Sequence, residues 1–175
     1  MKPKVDTVVQ FSGLKTGRYE YSYALDNAFF EEYENEELRE GKVDFEVVLE
    51  RRERMLVFTF SFKGMVKTTC DRCLGEMEVP VEGEGHLCVK FSDTETSEDE
   101  DVVFLPEGAY QIDLAQWMYE YVVVSMPMQH VHPEGECDPE MLKFISNEAE
   151  ESEVRELGEE ESDPRWDALK QLLDK

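Results

Sequence analysis

The chain has 175 residues, 41% of them hydrophobic, and its 42 acidic against 18 basic side chains leave a formal net charge of −24. That is enough apolar material for one domain with a core, and no run approaches the roughly 20 apolar residues that cross a bilayer. Such a charge repels nucleic acid at long range and suits a basic partner. With no secretory pattern at Met1–Lys4, the chain is expected in the cytoplasm, its cysteines thiols or metal ligands rather than disulfides.

In chain order, 5–11 alternates weakly, and 18–25, rich in tyrosine, reads as a strand. Asp26 and Asn27 then predict a cap for a short helix over 28–38, with Phe29, Phe30 and Tyr33 turned to the core. Val43, Phe45, Val47 and Leu49 alternate with polar residues, and Leu56, Phe58, Phe60 and Phe62 alternate again after a charged turn. Those two runs predict a hairpin. A third alternating run covers 77–91, with Val79, Val81, Leu87, Val89 and Phe91 as inward positions and Cys88 as a small buried hydrophobe.

Residues 92–101 hold six acids and no base, a net −6, and read as a loop. Residues 102–105 form a short strand, followed by a helix over 113–125 with Asp113 as its cap. Leu114, Trp117, Met118, Tyr121 and Val122 make one apolar face of it, and Pro127 ends it. A short helix is expected over 139–147. The segment 148–162 reads as an acidic linker, and 163–175 as a terminal helix opened by Asp163 and Pro164, with Trp166, Leu169, Leu172 and Leu173 on one stripe. The whole reads as an α+β domain over 1–147, an antiparallel sheet that could curl into a partial barrel with packed helices, followed by linker and helix.

The strongest local motif is Cys70-Asp71-Arg72-Cys73. Two cysteines at this spacing reach one tetrahedral zinc from a tight turn. The further ligands are His132 and Cys137, which bracket a Pro/Gly turn, with His130 as an alternative to His132. Two reduced thiols on a hairpin and two loop histidines in ordinary hydrogen bonds are the competing reading. A redox role is disfavoured, because 76–81 alternates like a strand and supplies no helix N-terminus to hold a thiolate. No GxSxG, P-loop or HExxH pattern is present, and no histidine lies in a nucleophile–base motif, so no catalysis is expected. Arg51, Arg52 and Arg54 in the hairpin turn, with Lys63, Lys67 and Arg72 towards the cysteine turn, are candidate partner contacts, as is Trp166. A charged turn kept soluble by its arginines is the plainer account of the first three.

These residues resemble the bacterial YceD family, the large ribosomal RNA subunit accumulation proteins. The resemblance rests on the ordered set Cys70-Asp-Arg-Cys-Leu74, Ile112-Asp-Leu114 leading to Ser125-Met-Pro-Met128, the loop His130–Cys137, and Asp163–Leu169. It implies a non-enzymatic role in accumulation or processing of 23S ribosomal RNA, through pre-ribosomal RNA, a basic ribosomal protein, or both. An acidic chaperone or adaptor for a basic protein, with no RNA role, is the alternative. Many members carry a second cysteine pair where this chain has a single Cys137, so a mixed histidine–cysteine site is what remains for zinc here.

Overall fold

The computed structural model describes residues 5–33, 35, 38, 40–93 and 102–145. The chain divides into two compact units, Met1–Val131 and His132–Lys175. The sequence's linker at 148–162 and terminal helix at 163–175, Trp166 included, lie outside the described residues, as does most of the acidic loop.

The first unit is built on three long strands: β3 (Glu40–Arg51), β4 (Met55–Thr69) and β5 (Glu76–Phe91). Their alternation settles which face is inward. Val43, Phe45, Val47 and Leu49 of β3 are buried while Lys42, Asp44, Glu46 and Glu50 are exposed. Pairing is antiparallel and in register, Phe45 lying opposite Phe62 with ring centroids 4.8 Å apart. β2 (Gly17–Leu25) adds to β3, and β6 (Val102–Leu105) adds to β5. The order is β2-β3-β4-β5-β6, and the sheet is open, with β2 and β6 as its edges. It does not close into a barrel.

β6 runs parallel to β5, pairing Cys88–Phe91 with Val102–Leu105. The sheet is therefore mixed rather than wholly antiparallel. Pro80 costs no ladder bond, since it sits where β6 does not reach and β5 is paired only with β4. Cys88 is half-buried rather than buried, because the inward positions on either side are Leu87 and Val89.

Asp26 does cap the first helix, its carboxylate accepting from the Ala28 amide at 3.1 Å. That helix, α1, is only Asn27–Phe30, tightening into a 3-10 turn at Glu31–Tyr33. The expected continuation to residue 38 is not made through Tyr33. Phe29 and Phe30 reach the core, and the Asn27 side chain leaves to accept from the Gly41 amide at the start of β3.

A second, two-stranded ladder joins β1 (Val8–Gln10) to β7 (Gln111–Asp113), with Val9 opposite Ile112. Asp113 ends β7, so α2 begins two residues later than expected, at Ala115–Ser125, with Leu114 in the cap position. The carboxylate still serves the helix start. It accepts from the Ala115 amide at 3.0 Å and from the Thr7 hydroxyl at 2.6 Å. Leu114, Met118 and Val122 are fully buried. Tyr121 lies across Gly85 of β5, where an added Cβ would stand 2.5 Å from the ring, and its hydroxyl donates to the His86 carbonyl at 2.9 Å. Glycine is required there because the ring occupies the side-chain space.

In the second unit, residues 134–135 form a turn in which Gly135 takes φ +91° and Glu136 donates to the Pro133 carbonyl at 3.1 Å. The Asp138 carboxylate then accepts from the Glu140 amide at 2.8 Å, opening a helical segment over 139–145.

Candidate metal centre

The β4–β5 connection is a closed knuckle. The Cys70 amide donates to the Gly75 carbonyl, and the Leu74 amide donates back to the Cys70 carbonyl, both at 2.8 Å. Leu74 turns the chain with φ +57°, the left-handed region that costs a branched residue about 1–2 kcal/mol. The turn buries both cysteine side chains while Asp71 and Arg72 between them face water.

His130 is tied to this knuckle by a reciprocal pair of bonds. The Asp71 amide donates to the His130 carbonyl, and the His130 amide donates to the Asp71 carboxylate, each at 2.7 Å. The ring Nδ1 stands 4.0 Å from the other carboxylate oxygen, and Nε2 is buried without a hydrogen-bond partner among the described residues. So the irregular segment following α2 is bonded to the β4–β5 turn through Asp71.

In the second unit, the Pro/Gly turn brings His132 Nδ1 to 4.0 Å from Cys137 Sγ. All four cysteines are thiols. The ligand atoms of Cys70, Cys73, His132 and Cys137 lie within 4.8 Å of one another, close enough to hold a metal ion. Three thiols and an imidazole, the cysteines all buried, are donors that zinc accepts. His130, the alternative ligand, is outside this group. Its neighbour Asp71, as the residue that anchors the segment after α2, was not read from the sequence. An exposed acid inside a CxxC gives no signal of a partner 59 residues away.

The basic candidates are dispersed. Arg51, Arg52 and Arg54 lie at one end of the β3–β4 hairpin, while Lys67 and Arg72 lie at the other end of β4, roughly 45 Å away along a strand of 15 residues at ~3.3 Å each. The Arg51 guanidinium donates to the Phe11 carbonyl. Arg52 pairs with Glu50 at 3.0 Å, Lys63 with Glu82 at 3.1 Å and Lys67 with Glu40 at 2.8 Å. The Lys67 hydrogen bond holds the Glu40 carboxyl below its ordinary range, and Glu40 raises Lys67 in return. These cations do not gather into one stripe.

No helix among the described residues is long and apolar enough to cross a membrane. A family model described as large ribosomal RNA subunit accumulation protein YceD matches residues 58–173. No curated protein and no solved structure matches the chain. The matched stretch begins inside β4 and takes in the knuckle, α2 and the histidine–cysteine loop.

Proposed function

The chain belongs to the YceD family of large ribosomal RNA subunit accumulation proteins, and from that premise we propose that it is a non-enzymatic cytoplasmic factor in large-subunit assembly. It supports 23S ribosomal RNA accumulation by binding a basic ribosomal protein, alone or together with the pre-ribosomal RNA. The family match carries this reading. The net charge of −24 supports the protein side of it, since a basic protein is drawn to such a surface and naked RNA is driven from it. Zinc held by Cys70, Cys73, His132 and Cys137 is the proposed cofactor, with a structural role: it would lock the knuckle and leave no open position for chemistry.

Affinity capture of the tagged full chain from its native cell, with and without RNase, tests the reading. The expected recovery is large-subunit proteins with 23S precursor. A basic protein recovered without ribosomal particles, and unaffected by RNase, would instead make the chain an adaptor with no RNA role. Normal 23S levels and subunit profiles in a deletion strain would refute the assembly role.

A further inference from the structure

Beside the start of α2 lies an open groove of about 560 Å³ that the metal centre does not use. Its walls are Tyr33 from the 3-10 turn and Trp117 and Tyr119 from α2, with Glu32, Asp113 and Glu120 around them. The Tyr33 and Tyr119 rings are stacked, 3.8 Å between centroids and 4° from parallel. Asn35 fixes the pair by donating to the Tyr119 hydroxyl at 2.8 Å. The acids are held too: Asp113 by Thr7 and the Ala115 amide, Glu120 by Gln116 at 2.8 Å. No lysine or arginine among the described residues forms an ion pair with Asp113 or Glu120. Burial raises the Tyr33 hydroxyl to about 12, and the charges of Asp113, Glu32 and Glu120 add to it, so their negative fields converge on the ring.

We propose that this groove receives an arginine side chain from an extended basic segment of the chain's protein partner. A guanidinium is the cation that matches both walls at once. Its planar face stacks on an aromatic ring, and its fork of donors meets carboxylates. The space suits one such side chain with its flanking backbone, and the charge of the whole chain selects a basic segment over any other. This rests on the reading above that the partner is a basic protein.

The test uses the full chain labelled with 5-fluorotryptophan, its two tryptophan resonances assigned with Trp166→Phe. The probe is a glycine–serine peptide bearing three arginines, against the same peptide with lysines. A saturable shift of the Trp117 resonance is expected. Affinity should fall at least about fivefold in Glu120→Gln, equivalent to about 1 kcal/mol, and less than twofold in Glu46→Gln, which removes an exposed charge from β3. An unmoved Trp117 resonance, equal losses in the two variants, or equal affinity for the lysine peptide would each overturn the proposal. Wild-type capture of ribosomal proteins that Glu120→Gln leaves intact would overturn the groove and spare the assembly role. Peptide binding with no ribosomal capture would do the reverse.

Discussion

Tyr23 and Tyr33 sit half-buried where β1, β7 and α2 bring carboxylates together, and burial raises both hydroxyls to about 12. For Tyr23 the neighbouring Tyr21, Asp6 and Asp113 add to the effect; for Tyr33 it is Asp113 first. A phenol ionises from a neutral state, so a raised folded value means that the unfolded chain loses its proton first, near pH 10. The resulting stability is complete below about pH 10 and is lost as pH rises through about 12. Absorbance at 295 nm should therefore show late-titrating tyrosines in the folded protein that rejoin the main transition in guanidinium. Tyr33→Phe should soften the alkaline fall in thermal midpoint. A single transition near pH 10 for all seven tyrosines, folded or unfolded, would contradict this placement. Such a residue-scale environment was not legible in the sequence. Tyr33 could be assigned to the core by its spacing from Phe29, but its partner Tyr119 comes from α2, and only tertiary packing sets the two rings face to face.

At the scale of elements, the knuckle's own hydrogen bonds set what a metal would add. The Cys70–Gly75 backbone bond and the Asp71–His130 pair of bonds close the turn and anchor the segment after α2. Zinc is thus expected to add stability to a folded apo protein rather than to fold it. A hundredfold excess of zinc over its dissociation constant contributes about 2.7 kcal/mol, which for a protein of this size raises the thermal midpoint by several degrees. Chelation should reverse the rise. Cys73→Ser should abolish the response, whereas His130→Asn should leave it, because His130 is outside the ligand group. Native mass spectrometry showing no zinc, with no shift on titration, would remove the metal from the account. The candidate group Cys70, Cys73, His132 and Cys137 was readable from the sequence as four residues that could come close, since CxxC and a Pro/Gly turn between His132 and Cys137 are local features. So were β3, β4 and β5, whose long alternation has one reading. β7 was missed because three residues carry no period, and its pairing with β1 moved the start of α2 past Asp113. The direction of β6 was missed because alternation marks faces and says nothing about which way a neighbour runs. The first helix came out short because Asn27 turns back to the Gly41 amide and the chain tightens at Glu31.

At the scale of the whole chain, charge decides between two kinds of partner. Lys63, Lys67 and Arg52 are already engaged by Glu82, Glu40 and Glu50. These exposed pairs are individually weak, but a phosphate must displace each one and approach a chain of net charge −24 to do so. Affinity for naked ribosomal RNA draws on counterion release from contacts with lysines and arginines, and at Arg52, Lys63 and Lys67 such a contact first has to open an ion pair. The purified chain is therefore expected to bind naked 23S fragments no more tightly than ordinary non-specific association, about 10⁻⁴–10⁻⁶ M at physiological salt. A basic ribosomal protein meets the opposite situation. Its encounter is steered by the same field, so its association rate should fall tenfold or more between 50 and 500 mM salt, as the Debye length contracts from roughly 14 Å to 4 Å. Filter binding for the RNA and stopped-flow association for the protein measure the two on one preparation. Tight RNA binding that weakens steeply with salt would place cationic contacts outside the described residues and make RNA the primary ligand. Protein association that ignores salt would mean that apolar contact, not charge, selects the partner.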